Sequence, residues 1–178
     1  NYAKWLVALC DAQVRKYIDG RNGQFTTVIA SQSYNIELGK LIGATPDGRL
    51  AFSYLADNAS PSIGMDRNGP TAVVNSLATM DPSIPHSGVL LNQRFDPAVV
   101  KGEKGLDILE TVIRTYFAQN GQHIQINVVD NETLLAAQKI PNNYRHILVR
   151  VAGYSAFFVD LGKDIQDNII ARTVQTSL

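Results

Sequence analysis

A glycine and a thiol are the first candidates for chemistry in this sequence. Gly153 interrupts the strand-like run 147–159, within the hexapeptide Arg-Val-Ala-Gly-Tyr-Ser at 150–155. A glycine inside a strand commonly marks a bulge or a tight bend, and the pattern alone predicts that role. Cys10 is the single cysteine and lies on an apolar helical stripe. It is predicted to be a small buried hydrophobe, because no neighbouring charge would activate its thiol.

The three histidines do not indicate a metal site. His86, His123 and His146 lie far apart, and none has a short ligand spacing to another histidine or to the cysteine. No glycine run matches a phosphate-binding loop. The alternation in 123–129 puts His123 and Gln125 on one polar face of a strand. Such a face forms a pocket wall or, more commonly, a solvated or hydrogen-bonded side of a sheet.

The composition is that of an ordinary globular chain. Of its 178 residues, 45% are hydrophobic and 18% are charged, and 16 basic residues balance 16 acidic ones. This balance gives no reason to expect nucleic acid or an anionic membrane as a partner. We find no signal peptide and no apolar run that could span a bilayer, and a single thiol suits a reducing compartment, so we expect a cytoplasmic location. The first residue is not Met, which suggests a fragment or a processed chain.

Helical and strand periodicities alternate along the chain and predict an α/β fold with some parallel strands. Gly, Pro, Asp, Asn and Ser dominate 43–70, which is predicted as a long loop that is functional or packed against another segment. We treat 1–178 as a single domain. Helices are predicted at 5–18, 72–79, 105–119, 131–139 and 163–174, and strands at 25–30, 88–95, 123–129 and 147–152.

The hexapeptide around Gly153 is one of an ordered set of motifs. Together they make the chain, most clearly 43–175, resemble the glycyl radical enzyme family, whose radical signature is similar to 150–156. Within that family, the motifs look more like those of glycerol, propanediol and hydroxyproline dehydratases and choline lyase than those of pyruvate formate-lyase. The other matching stretches are 43–49, 55–57 with 60–61, 69–72, 90–93, 123–125 with 127–129, 137–139 and 169–173.

The resemblance implies that Gly153 carries a protein-based radical, installed when an activating enzyme of the radical S-adenosylmethionine type removes one α-hydrogen. An α-carbon radical flattens and is shared between the amide nitrogen as donor and the carbonyl as acceptor, and glycine has no Cβ to strain that geometry. In the family, the radical passes to a cysteine thiol, and the resulting thiyl radical takes hydrogen from the substrate inside an α/β barrel. The glycyl radical is the cofactor expected here, because S-adenosylmethionine and an iron–sulfur cluster belong to the activating enzyme.

The resemblance also marks residues beside the glycine and a part of a substrate pocket. Arg150 is expected to anchor the loop, and apolar neighbours are expected to pack it. Alternate residues of 70–74 are expected to reach the pocket. The remaining loop neighbours are Val151, Ala152, Tyr154 and Ser155, and the expected pocket residues are Pro70, Ala72 and Val74.

The loop that carries the thiyl cysteine in the family has no counterpart in this sequence. Cys10 is not assigned that role, because it lies on a helix with the wrong neighbours. We therefore expect the C-terminal part of a glycyl-radical-enzyme-type α/β barrel, with the radical glycine on a loop after a strand and an exposed apolar face. It would be inactive alone and would act with a cysteine-bearing N-terminal portion in anaerobic, oxygen-sensitive lyase or dehydratase chemistry on a small molecule. Two alternatives stay open. One is a free-standing spare part that restores the radical to an oxygen-damaged enzyme, and the other is a non-enzymatic binding module.

Overall fold

The computed structural model describes residues 2–81, 83–84 and 88–176, and it combines helices with two small sheets. The helices are α1 (Tyr2–Val14), α2 (Tyr34–Leu41), α3 (Gly69–Leu77), α4 (Gly102–Ala118), α5 (Asn131–Lys139) and α6 (Lys163–Ala171). The strands are β1 (Leu91–Phe95), β2 (Ile124–Val128), β3 (Leu148–Arg150) and β4 (Ser155–Phe157). Short 3-10 helices cover Pro141–Tyr144 and Phe158–Asp160.

The first sheet consists of β1 and β2, which pair in parallel from Leu91 opposite Ile124 to Phe95 opposite Val128. This pairing confirms the prediction of parallel strands, and α4 connects the two strands. Side chains alternate between the faces of a strand, so Leu91 and Phe95 share one face. That face packs in a buried cluster with Val74 of α3 and with side chains of α4. Burial of these apolar surfaces holds the sheet against both helices.

The opposite face of the same sheet is polar and nevertheless buried. It carries Asn92 and Arg94 on β1, and Gln125 and Asn127 on β2. Buried polar side chains require hydrogen-bond partners, because burying them without partners is costly. The prediction for His123 and Gln125 was a pocket wall or a solvated or hydrogen-bonded side of the sheet; Gln125 is only 5% exposed and is hydrogen-bonded, so its side of the sheet is hydrogen-bonded and not solvated.

The second sheet is an antiparallel hairpin of β3 and β4. Val149 and Val151 of this hairpin enter a second apolar cluster, together with Leu134 of α5, Phe158 and Ile169 of α6. The hairpin lies beside the polar face of the first sheet but does not join it through a backbone ladder, because the two sheets are separate. The contacts between them are made by side chains.

The long segment between α2 and α3 contains no helix or strand among the described residues. Part of it runs along β1: the Ala59 amide donates to the Leu90 carbonyl at 2.9 Å. The Asn92 amide donates to Ser60 Oγ at 3.0 Å, and the Ser60 hydroxyl donates back to the Asn92 carbonyl at 3.2 Å. The segment is thus packed against another element.

One predicted strand does not form, and two elements of the structure were not predicted. The strand predicted at 25–30 is wrong, because the segment makes only an isolated bridge, between Ile29 and Val89. Its Phe25 and Val28 side chains are about half exposed, so no apolar face holds it as a strand. The helix at 34–41 and the strand at 155–157 were not predicted. Both are short, and short elements give weak periodic signals.

Helix α1 presents most of its apolar side chains to solvent. Trp5 is 61% exposed and Leu6 53%, and Asp11 is the buried residue of this helix. Cys10 is also exposed, so the prediction that it is a buried hydrophobe is wrong. The expected exposed apolar side chains are therefore present. No helix in the described part of the chain has the length and apolarity needed to cross a membrane.

Candidate functional site

Gly153 lies in the tight turn between β3 and β4. Its φ of +86° falls in the region that favours glycine, and the neighbouring Ala152 does not share it. The Val151 amide donates to the Tyr154 carbonyl at 2.9 Å, which pairs these two residues at the end of the hairpin and leaves Ala152 and Gly153 as its two loop residues. A Cβ at this position would lie 3.7 Å from Leu90 Cδ2, which is an ordinary contact, so conformation and not space requires glycine here.

The loop neighbours named from the sequence fall into a buried pair and an exposed group. Val151 and Ala152 are buried at 1% and 2% exposure, whereas Gly153, Tyr154 and Ser155 are exposed.

The guanidinium of Arg150 spans the turn. Its Nη1 donates to Ser155 Oγ at 3.1 Å, and its Nη2 donates to the Gly153 carbonyl at 3.4 Å. Arg150 therefore makes contacts of the kind expected of a residue that anchors the loop.

Two carboxamides of β2 hold the backbone of the turn. Asn127 Nδ2 donates to the Arg150 carbonyl at 2.8 Å, and the Arg150 amide donates to Asn127 Oδ1 at 2.7 Å. The Gly153 amide donates to Gln125 Oε1 at 3.1 Å. In an antiparallel pair, alternate residues direct their backbone groups away from the partner strand. Asn127 therefore takes the place of a strand partner on the open side of β3.

The Val151 carbonyl is held from two further directions. Asn92 Nδ2 on β1 donates to it at 3.3 Å, and Arg172 Nη1, just after α6, donates to it at 3.0 Å. Arg172 also lies 3.3 Å from the Asp57 carboxylate, to which Asn92 donates at 2.6 Å. Asp57 thus orients both side chains that bind the turn.

Charge at the base of the site is buried and paired. Burial raises the pKa of the Asp57 carboxyl, while the charge of Arg172 and the hydrogen bond from Asn92 act in the opposite direction. Burial also lowers the pKa of Arg172, with Asp57 opposing that shift. Burial lowers the pKa of Arg94 to about 10, and its guanidinium donates to the Ile169 carbonyl at 2.6 Å near the end of α6. Removing either Asp57 or Arg172 would leave the charge of the other buried and uncompensated.

The cavity beside this network is small. It has a volume of about 30 Å³ and is lined by Asp57, Asn92 and Arg172 among others. A water molecule needs about 10–15 Å³ of such space, and small-molecule pockets commonly measure about 300–1,000 Å³. The cavity therefore accommodates water-sized groups and not a substrate.

The residues expected to line a substrate pocket do not share one face. The stretch 69–77 is helical, so Pro70 and Val74, four residues apart, share a face on which Ala72 does not lie. Val74 is fully buried in the apolar cluster, and Pro70 is also buried. Ala72 lines an open cleft of about 250 Å³ with Asp66 and Arg67. Contact of Pro70, Ala72 or Val74 with a substrate stays a prediction.

The histidines give no further site. Among the described residues, no group of three or more His, Cys, Asp or Glu side chains could hold a metal ion. His86 lies outside the described residues. His123 lies next to the site, where the Gln125 amide nitrogen is 3.4 Å from its Nε2.

Four contributors to the site were not predicted individually from the sequence: Asp57, Asn92, Asn127 and Arg172. Each lies within a stretch that carries the resemblance, and that membership was the available signal. Their contacts join segments that are far apart in the chain, so local periodicity could not assign their roles.

Comparisons with known proteins place this chain in a family. A sequence model described as Glycine radical matches residues 55–159. Trans-4-hydroxy-L-proline dehydratase of Clostridioides difficile is 48% identical over 154 residues, which is 86% of this chain and 19% of the dehydratase. Isethionate sulfite-lyase of Oleidesulfovibrio alaskensis is 45% identical over 141 residues, which is 78% of this chain and 17% of that enzyme.

A solved structure shows the same likeness in three dimensions. The glycerol-bound B12-independent glycerol dehydratase from Clostridium butyricum superposes with a TM-score of 0.95 and 47% identity. The match covers 98% of this chain and 22% of the dehydratase. The chain belongs to the glycyl radical enzyme family, and the resemblance drawn from the sequence is confirmed. It spans about a fifth of the length of these relatives, whose names are those of dehydratases and a lyase.

Proposed function

We propose that Gly153 carries a glycyl radical, and that the chain is the radical-bearing domain of a lyase- or dehydratase-type glycyl radical enzyme. The observation that supports this most directly is the turn at 150–153. Four buried or half-buried polar side chains from β1, β2 and the end of α6 bond its backbone, in a chain of the glycyl radical enzyme family. These side chains are Asn92, Gln125, Asn127 and Arg172.

The reaction begins with the loss of one hydrogen atom from the Gly153 α-carbon to an activating enzyme of the radical S-adenosylmethionine type. The stored radical then takes the hydrogen atom of a cysteine thiol, so Gly153 is restored and a thiyl radical forms. The thiyl radical takes a hydrogen atom from a small-molecule substrate. Neither the thiol nor the substrate belongs to the described part of the chain, and Cys10 is not assigned this role.

The cysteine is proposed to lie on another polypeptide or portion that completes an α/β barrel around Gly153. The exposure of Gly153 and of the apolar side chains of α1 supports a covering partner, because large exposed apolar surfaces commonly mark interfaces. Dehydratase or lyase chemistry is supported by the names of the relatives. A cytoplasmic, oxygen-poor setting remains part of the proposal.

The test is anaerobic. The chain is mixed with S-adenosylmethionine, a reductant and an activating enzyme shown to act on a related dehydratase, with and without a cysteine-bearing partner. Electron paramagnetic resonance should then show a glycyl doublet. Admission of air should cleave the chain at residue 153, which mass spectrometry detects.

Two alanine variants make the test specific. Gly153→Ala should abolish the doublet and the cleavage. Gly64→Ala is the matched control, because Gly64 has a similar φ of +79° and open space at its Cβ position, and it should keep both. Absence of the doublet in the unaltered protein would refute the proposal and leave a binding module. A doublet formed without the partner would favour the spare-part function over the split enzyme.

A further inference from the structure

The two halves of the Gly153 backbone face groups of opposite character. Its amide N–H donates to the Gln125 side-chain carbonyl at 3.1 Å, and Gln125 is 5% exposed. Its carbonyl accepts from the Arg150 guanidinium at 3.4 Å. An electron-rich acceptor therefore lies at the nitrogen, and a cationic donor lies at the carbonyl oxygen.

The orientation of the Gln125 carboxamide follows from its partners. A backbone N–H can only donate, so the atom facing Gly153 must be the amide oxygen. The amide nitrogen then faces His123 Nε2 at 3.4 Å. The amide nitrogen can only donate, so His123 supports this orientation of Gln125 in the tautomer whose Nε2 accepts.

This arrangement matches what an α-carbon radical needs. The unpaired electron is stabilised when the amide nitrogen donates electron density and the carbonyl withdraws it. A hydrogen bond from the N–H to an acceptor makes the nitrogen a better donor, and a cation at the carbonyl oxygen makes it a better acceptor. Both effects move spin density away from the α-carbon onto the neighbouring peptide groups.

We propose that Gln125 is a positioning residue that, with help from Arg150, sets the spin density on the α-carbon of the Gly153 radical. This inference rests on the proposed function and deepens it, because it concerns the electronic state of the same site. Gln125 acts through the amide of Gly153 and does not take part in hydrogen transfer. Its removal should raise the spin density on the α-carbon.

The test compares the glycyl doublet in variants activated together with the cysteine-bearing partner. Gln125→Met keeps the approximate shape of the side chain but removes the carbonyl acceptor, and it should widen the α-proton splitting. Gln125→Glu keeps an oxygen acceptor and should retain the narrow splitting. Gln93→Met is the matched control, because Gln93 is equally buried on the neighbouring strand, and its amide bonds to the Pro70 carbonyl and not to Gly153.

The yield and the splitting are measured together, because a displaced loop should lower the yield of the radical, whereas loss of the acceptor alone should widen the splitting at an unchanged yield. An unchanged splitting in Gln125→Met, beside a normal doublet in the unaltered protein, would overturn the inference and leave the proposed function intact. If Gln125→Met carries no radical, Gln125→Glu must regain it, and failure to do so would also overturn the inference. Absence of the doublet in the unaltered protein would remove the proposed function and this inference together.

Discussion

Replacing Asn127 by alanine should detach β3 from β2 at its strongest described link. The carboxamide makes two hydrogen bonds to the Arg150 backbone, at 2.7 and 2.8 Å, from a side chain that is 7% exposed. A buried hydrogen bond contributes about 1 kcal/mol net, and an unsatisfied buried partner costs about 1–3 kcal/mol. With Arg150 half-buried, the expected loss of unfolding free energy is about 2–4 kcal/mol.

Urea denaturation of the 178-residue chain measures this loss as a shift of the midpoint at constant slope. Hydrogen exchange adds a local readout, because the Arg150 amide should lose protection. Asn75→Ala is the matched control, since Asn75 is exposed on α3 and accepts a single bond from Gln119. It should change stability by less than about 0.5 kcal/mol.

A graded variant tests the same reasoning. In Asn127→Asp, an ionised carboxylate would face the Arg150 carbonyl, whereas a protonated carboxyl could donate to it as the amide does. The folded-state pKa of the new aspartate should therefore be raised. Its stabilising contribution should be present below the unfolded-state pKa and should be lost as the pH rises through the folded-state pKa. Stability of Asn127→Ala within about 0.5 kcal/mol of the unaltered chain would refute the account of the link.

Three further predictions concern a helix cap, the turn and the buried ion pair. The Thr133 amide donates to Asp130 at 2.6 Å and holds the pKa of that carboxyl below its ordinary 3.8. The stabilising contribution of Asp130 should therefore be present above pH 3.8 and be lost as the pH falls through the lowered pKa. At pH 7, Asp130→Ala should lower the free energy of unfolding by about 1 kcal/mol in urea denaturation, and Asp130→Asn should leave it nearly unchanged. Gly153→Ala should cost only about 1–2 kcal/mol, from its positive φ, and a circular dichroism spectrum unlike that of the unaltered chain would contradict this. Arg172→Met should cost about 3–5 kcal/mol because it leaves Asp57 buried without its cation, and adding Asp57→Asn should recover part of the loss in a double-mutant cycle.

Sequence reasoning succeeded best where local signals were strong. The helix predicted at 131–139 has those bounds in the structure, because Asp130 caps its start and a proline follows its end. The strand predicted at 25–30 failed, because β-branched residues favour a strand only when a face of it is buried. Periodicity therefore identified the longer helices and strands, and it misjudged a segment with no buried face and a strand of only three residues.

The site could be predicted only in part. The resemblance identified Gly153 as a candidate site residue, and the alternation of β2 placed Gln125 on a polar face of a strand. The structure brings these two within hydrogen-bond distance, which neither signal stated. The roles of Asn92 and Arg172 depend on how the sheet, the hairpin and α6 meet in space, and no local pattern encodes that meeting. The radical itself remains a proposal that the anaerobic experiment tests.

The polar contact between the sheet and the hairpin also selects a single register. A slide of the hairpin by one residue would displace its backbone by about 3.3 Å, which would carry every bonded amide and carbonyl out of reach of its carboxamide. An apolar contact of similar size could repack after such a slide, whereas a buried polar one would be left unsatisfied. Asn127 and Gln125 therefore fix the position of Gly153 along the sheet to within the few tenths of an ångström that a hydrogen bond tolerates. Such accuracy would suit the hydrogen atom transfer that we propose for Gly153.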